Sequence, residues 1–408
     1  MLALGSRGDI QPYVALGKGL RRAGHEVSFI TFESFLDLVE QAGLDFYPIR
    51  GNAQSLVMGA GANMLALVRS FGSLAEGYAQ DLGALIPKLK ETELLINQLP
   101  LALYGYDLAE KLSIPMLAAS VIPLTRTRVN PIVRFPLLPV PGYNLLTYKV
   151  AEQLGWQIFR RPINQWRRQV LDLHPIQFLG YFNQLGSERI PVLNGFSPQV
   201  VPRPDDWSDH VHVTGYWVPQ DDDWHVPDEL RAFIESGAPP VFIGFGSMPV
   251  NNPEQTTKIV LEALRRCGQR CVLHTGWAGI GEDRLPDNVF KIAYAPYSWL
   301  FPRMAMVIHH GGSGTTAFGL RAGVPSLLVP FVFDQFYWGK RVADLGVGPK
   351  PIPFGRLSIE GLAEAISIGT SDPEMRQRAA ELGRKIQAKD GIGNAVEIIA
   401  RYSGSALD

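Results

Sequence analysis

The sequence predicts an α/β protein built from two doubly wound domains that face a cleft. Three observations carry that prediction. A strand, glycine turn, helix and strand open the chain, a second series of the same kind begins near residue 241, and a polar, proline-rich stretch separates them. A chain of 408 residues is also long for one core.

The first series starts with apolar Met1–Leu4, is broken by Gly5-Ser-Arg-Gly8, and continues as a helix from Pro12 to Ala23, where Val14, Leu16 and Leu20 recur at helical spacing. Gly24 stops the helix and Val27–Ile30 reads as a buried strand. That is a βαβ unit, which requires a parallel sheet and a right-handed crossover. Four residues make a short central strand, and the sequence leaves open whether the natural chain starts upstream of Met1. Leu94–Asn97, a helix around Tyr104–Leu112 and the strand Pro115–Ala118 continue the series. The stretch 51–90 is rich in Gly, Ala, Met and Leu, and 122–148 in proline and aromatics. Both read as helices and loops inserted at the carboxyl edge of the sheet, where an apolar pocket and ordinary packing are equally open readings.

Pro202-Arg-Pro-Asp-Asp206, Val218-Pro-Gln-Asp-Asp-Asp223 and Pro239-Pro240 have the texture of a linker. The second series then runs through Val241–Phe245, a helix around Glu254–Arg266, strands at Arg270–His274, Val289–Ile292, Met306–His309 and Ser326–Val329, and a last helical run from Glu374. The expected division is an N-terminal domain over 1–203, a linker over 204–227, a C-terminal domain over 228–380, and a final helix over 381–408, whose crossing back to the N-terminal domain is implied only by the family resemblance given below.

With 38 basic and 39 acidic residues the net charge is -1, so no bulk field draws the protein to nucleic acid. No apolar run approaches a spanning helix, and Arg7 and Asp9 fall too early for a signal peptide. These point to a cytoplasmic protein, with peripheral membrane contact left open and no signature of oligomeric state. Cys267 and Cys271 are too few for a metal site and read as reduced, partly buried thiols. His210 and His212 alternate on a probable strand but lack a third ligand, so they read as surface or linker residues, and no metal is expected.

Chemistry concentrates where the strand Met306–Ile308 runs into His309-His310-Gly311-Gly312-Ser313-Gly314-Thr315-Thr316. Glycines let the backbone approach a ligand, and the unpaired N–H groups of a helix start attract a diphosphate. Ser313, Thr315 and Thr316 add hydroxyl donors, and a histidine can donate from its ring. The plain alternative is a tight turn with capping hydroxyls. No lysine follows the glycines, so this is not a Walker loop. Gly244-Phe-Gly246-Ser247-Met248, ending the second domain's first strand, reads as a ligand loop or a plain loop. Asp334-Gln335 after a strand suits a polyol, or a solvated turn. Asp9 stands at a helix start, which would keep it ionised for work as a base; on the residues alone, capping is the stronger reading.

Together these stretches resemble the inverting family-1 glycosyltransferases of the GT-B fold, in their sterol-glucosyltransferase-like and antibiotic-glycosyltransferase branch. The resemblance runs through Gly5–Pro12, Gly24–Val27, Gly215-Tyr-Trp217, Gly246-Ser-Met248, Gly276-Trp277, Ala295-Pro296, the run from His309 to Thr316, Leu320–Pro325 and Asp334-Gln335-Phe336. It implies two Rossmann-like domains and a nucleoside-diphosphate sugar held mainly by the second, a UDP-sugar with a dTDP-sugar as the alternative. His309, Gly311, Gly312, Ser313, Gly314 and Thr315 would bind the diphosphate, with Ser247 closing over it. Tyr294, Ala295 and Tyr297 would hold the base, Trp277 or Tyr294 stacking on it. Asp334 and Gln335 would read the sugar hydroxyls, the glutamine favouring glucose. Asp9 takes the place of the histidine base of many relatives, with Asn97 roughly where an orienting acid stands in them. The acceptor would be a sterol, other lipid, polyketide or phenolic alcohol, and no cofactor or metal is called for. The rival readings are a non-catalytic nucleotide-sugar-binding protein and a sugar-nucleotide epimerase or hydrolase on the same fold.

Overall fold

A computed structural model describes residues 1–52, 77–99, 104–131, 142–180, 189–219, 224–250, 252–276, 279–281 and 285–403. The chain divides into two units: Met1–Trp217 with Asp390–Asp408, and Val218–Lys389.

In the first unit the sheet strands are β1 (Ser28–Phe32), β2 (Asp45–Ile49), β3 (Leu95–Gln98), β4 (Met116–Ser120), β5 (Val192–Asn194) and β6 (Val211–Val213). All pairings are parallel: β1 with β2, then β3-β4-β5-β6. The opening residues join the two groups. Leu2 bridges both Ile30 and Asn97, its N–H reaching Ile96 O at 2.9 Å while Gln98 N–H reaches Leu2 O at 2.9 Å. The short apolar start is therefore the centre of the sheet, and the strand order reverses at it. The helix Arg7–Arg22 buries Ile10, Tyr13, Val14, Leu16 and Leu20 against this sheet. Its outer side receives the last helix, Gly391–Ser403, at Gly19, where a Cβ would stand 2.2 Å from Ile392 Cγ2. Glycine at position 19 thus sets how closely the two helices pack.

Two readings made from the sequence change here. β6 lies within the stretch read as linker, and His212 belongs to it rather than to a surface segment, its Nε2 lying 3.2 Å from Tyr402 Oη. Trp217 is buried in the same core, edge-on to Tyr13 with ring centroids 5.4 Å apart. The end of the stretch 122–148, read as helices and loops, opens one long helix, Tyr143–Trp166. Residues 132–141 of that stretch, and most of 51–90, lie outside the described residues.

The second unit carries β7 (Val241–Gly244), β8 (Cys271–His274), β9 (Val289–Ile292), β10 (Met306–His309) and β11 (Ser326–Leu328), all parallel in the order β11-β10-β7-β8-β9. β7 and β10 are buried along their whole length, as apolar central strands of a sheet covered on both faces must be. The helix Pro253–Cys267 shows how local sequence sets boundaries: Asn252 accepts Gln255 N–H at 2.9 Å, Pro253 takes the first helical position, and Gly268 at φ 62° ends it. Both cysteines are free thiols, and burial pushes the Cys271 thiol up.

Candidate functional site

In open parallel sheets a ligand crevice forms beyond the carboxyl ends of the strands, where the order reverses. In the second unit that point lies between β7 and β10, which pair with Gly244 opposite His309. The loops leaving them are Phe245–Met248 and His310–Gly312, so topology alone brings together two of the sequences singled out above.

The helix Ser313–Ala322 follows directly. Gly312 precedes it without a side-chain cap, and Thr316 Oγ1 donates back to Gly312 O at 2.9 Å instead of serving the first turn. The backbone N–H groups at this helix start have no capping side chain, the arrangement that seats an anion. Ser313, Gly314 and Thr315 are all partly exposed there.

His309 is fully buried. Its Nδ1 accepts Gly311 N–H at 3.0 Å, so the hydrogen belongs on Nε2, and that atom is buried with no partner among the described residues. Burial, and then the neighbouring His310, hold the imidazole well below its usual range, so it is neutral. It can donate an N–H to a ligand but brings no charge.

His310, which had no role in the sequence reading, fills the space between the two loops. A Cβ on Gly246 would stand 2.8 Å from its Cε1, and one on Gly312 2.5 Å from its Nε2. Burial lowers its pKa to about 4, with His274 adding to the shift. The third neighbouring loop is equally tight: Gly276, at φ 49°, would place a Cβ 2.5 Å from Gly246 O. The doubled histidine was the available signal, but two adjacent histidines say nothing about which way each ring turns.

Asp334 and Gln335 behave differently from each other. Asp334, partly exposed, stands at the start of the helix Gln335–Asp344 and its Oδ2 accepts Trp338 Nε1–H at 2.9 Å. Gln335 is buried, and its carbonyl is engaged within its own loop. Oε1 accepts the N–H groups of Phe331 (2.8 Å) and Val332 (3.2 Å), while Nε2 faces Met248 Sδ at 3.2 Å. Those bonds hold a turn in which Phe333 takes φ 50°, a conformation that costs a non-glycine residue about 1 kcal/mol or more. Of the residues expected to hold the base, Tyr294 is exposed and Ala295 buried. Tyr297 turns its ring inward, stacked on Phe301 at 4.3 Å, so this stretch offers a base its backbone and the Tyr294 ring. Trp277 lies outside the described residues. Ser247 is partly exposed on its loop.

In the first unit, Asp9 lies just past the end of the central strand. Its Oδ2 accepts both the N–H and the Oγ–H of Ser6, each at 2.8 Å. Capping is therefore real, yet it occupies one oxygen only. Burial raises the carboxyl pKa and the two Ser6 bonds oppose that rise. Gly5 leaves room for the carboxylate: a Cβ there would be 2.6 Å from Asp9 Oδ2, at φ 133°. Gln98, which the sequence reading missed, accepts Leu4 N–H at 2.6 Å and so fixes the strand end that carries this loop. Asn97 is buried against Gly105 with its Oδ1 unpartnered among the described residues.

Comparison with known proteins bears on both units. Residues 1–131 match the glycosyltransferase family 28 N-terminal domain, and 258–399 match the C-terminal domain of erythromycin biosynthesis protein CIII-like proteins. The chain is 37% identical over 421 residues to a sterol 3-beta-glucosyltransferase of Arabidopsis thaliana, covering 98% of this chain and 67% of that one. It is 36% identical over 419 residues to a sterol 3-beta-glucosyltransferase of Emericella nidulans, of which it spans only 29%. Among solved structures, the glycotransferase of kitacinnamycin superposes with a TM-score of 0.72 at 22% identity, over 98% of each chain. A Streptomyces sp. SF2575 glycosyltransferase complexed with thymidine diphosphate does so at 0.65 and 19%, again over 98% of each chain.

Proposed function

The chain belongs to the GT-B glycosyltransferases, related to the sterol 3-beta-glucosyltransferases and the antibiotic glycosyltransferases, and on that premise we propose that it transfers glucose from UDP-glucose to the hydroxyl of a hydrophobic alcohol, with inversion. Sterols are the first acceptor class to consider, because the relatives at 37% and 36% identity are named for them; other lipid, polyketide and phenolic alcohols share the required chemistry.

The observation that carries the reading is the uncapped start of the helix Ser313–Ala322 beside the unpartnered Nε2–H of His309, at the point where the strand order reverses. A diphosphate leaving group gains negative charge as the bond to the sugar breaks. Backbone donors at Ser313, Gly314 and Thr315, with the neutral His309, meet that charge without needing to reorganise. Gly311, Gly312 and Ser247 let the phosphates approach the backbone. Tyr294 and the backbone of Ala295 and Tyr297 hold the base, and Asp334 takes the sugar hydroxyls. Gln335 keeps the sugar loop in shape, and its amide N–H₂, set against a weak sulfur acceptor, is its one group free to exchange for a sugar oxygen.

Asp9 is the base. Ser6 orients it through Oδ2, and Oδ1 accepts the acceptor's proton. Its raised pKa brings it nearer to the working pH, as a general base requires. The acceptor oxygen attacks the anomeric carbon, the carbon–oxygen bond to the diphosphate breaks, and the electron pair leaves with UDP. An α-linked donor gives a β-glycoside.

The test is a panel of hydrophobic alcohols incubated with UDP-glucose, UDP-galactose and dTDP-glucose and read by mass spectrometry. A hexose added to a sterol from UDP-glucose is the expected product. Tight donor binding with neither glycoside nor free sugar would make the chain a nucleotide-sugar binder, and free sugar alone would make it a hydrolase.

A further inference from the structure

The long helix Tyr143–Trp166 and the loop that follows it carry a feature the transfer reaction does not use. Leu146, Val150, Leu154 and Ile158 recur every fourth residue, so they share one side of the helix, and all four are exposed, between 39% and 60%. Phe178 and Leu179, in the described segment 172–180 that follows, stand 55% and 60% exposed.

That loop is held in place by side chains. Asn164 bonds Ile176 through both its amide groups, at 2.8 and 2.9 Å. Trp156 Nε1–H reaches Gln177 O at 3.1 Å, and Gln153 and Gln157 both donate to Phe178 O at 3.0 Å. Five hydrogen bonds from four residues of one helix hold the loop where its aromatic ring faces water. Ordinary soluble surfaces leave apolar residues exposed singly; a pinned loop next to a continuous apolar stripe marks an interaction surface.

Charge identifies the partner. The Arg160 guanidinium lies over the Phe178 ring, 5.1 Å from its centre. Arg161 is exposed farther along the same helix and Arg168 in the turn Arg167–Leu171 that continues it, and Lys149 is exposed within the stripe. The one acid between 143 and 171 is Glu152, and it is taken up by Arg126, with Nε to Oε1 at 2.8 Å. Asp172 is the one further acid described on this helix and loop, and apolar side chains flanked by an excess of basic residues match the boundary between acyl chains and anionic headgroups. No helix of the described residues is long and apolar enough to cross a membrane, so contact here is lateral.

We propose that this helix and loop form a docking surface for an anionic lipid bilayer. Its purpose, delivery of a membrane-resident alcohol, rests on the proposed function; the binding itself does not.

The experiment is co-sedimentation of the full chain with vesicles of phosphatidylcholine alone or mixed with phosphatidylserine. Wild type is expected to pellet with the mixed vesicles, and less so as salt rises. Leu154→Glu with Ile158→Glu, and separately Arg161→Glu with Arg168→Glu, should each lower the bound fraction by roughly tenfold or more. Thermal midpoints should be unchanged, as should glucose transfer to a detergent-dissolved acceptor. Vesicle binding without transfer activity on any acceptor would leave the surface standing and remove its stated purpose. The proposal is overturned if wild type ignores mixed vesicles, if both double variants bind as wild type does, or if the Leu154 and Ile158 changes instead dissolve a homodimer seen by size exclusion.

Discussion

Replacing Gly246 with alanine tests whether the two phosphate-side loops are held at their spacing by the His310 ring. Two costs add. At φ 59° an alanine is in the left-handed region, which costs about 1 to 2 kcal/mol. Its Cβ would also stand 2.8 Å from His310 Cε1. The ring cannot retreat, because Gly312 already leaves its Nε2 only 2.5 Å from where a Cβ would be. Overpacking of this kind costs about 1 to 3 kcal/mol. The single variant should therefore lose about 2 to 5 kcal/mol in equilibrium urea unfolding. In a His310→Ala background only the left-handed term survives, so the same change should cost about 1 to 2 kcal/mol. The coupling in the double-mutant cycle is the contribution of the ring. UDP affinity, measured by calorimetry, should show the same pattern, since both loops flank the proposed seat for the diphosphate. Equal costs in the two backgrounds would show that the ring does not bridge the loops.

The same geometry sets three further outcomes. Ser6→Ala removes the hydroxyl that lowers the Asp9 pKa, so the carboxyl rises further; the acid limb of kcat/KM should move to higher pH, with roughly fivefold less activity on that limb, equivalent to one hydrogen bond of about 1 kcal/mol. Arg167 is buried and bonds Asp107 at 2.5 Å and Glu110 at 2.9 and 3.0 Å, so Arg167→Met should cost about 3 to 5 kcal/mol near pH 8. Burial raises the Asp107 pKa to about 7 against the opposing pull of Arg167; without the guanidinium it rises further, so the variant's deficit should be largest above about pH 7 and shrink as pH falls towards 7, in urea titrations at several pH values. Gly19→Ala should destabilise the first unit by about 1 to 3 kcal/mol by forcing the final helix outward, and adding Ile392→Ala should recover part of the loss, read by thermal unfolding.

What could be read from residues alone was whatever local chemistry dictates. The strand-to-helix join at His309–Thr316 has a glycine density that a plain connection does not require, and β7 and β10 are continuous apolar runs, so the second unit's central features were legible. β5 was not, because a three-residue strand between polar, proline-rich flanks has no periodicity to detect, whereas the alternation of His210 and His212 did mark β6. The helix Tyr143–Trp166 was hidden for a related reason: Pro162 lies inside it and its outer stripe is apolar, which blurs the usual contrast between faces. In the candidate site, residue types were readable but directions were not. Gln335 turns its carbonyl into its own loop, Tyr297 turns its ring into the core, and the His310 ring separates the two glycine turns. Each of these orientations depends on partners far away in sequence, such as Met248 for Gln335 and Gly246 for His310.

The account stands or falls on separating proton abstraction at Asp9 from donor binding at the helix Ser313–Ala322. Glucose transfer from UDP-glucose to a sterol and UDP affinity should be measured side by side for wild type and Asp9→Asn. The predicted result is a fall in kcat of about a hundredfold or more with UDP affinity within twofold of wild type, about 0.4 kcal/mol. Normal turnover by Asp9→Asn would contradict it, as would loss of UDP binding in step with activity.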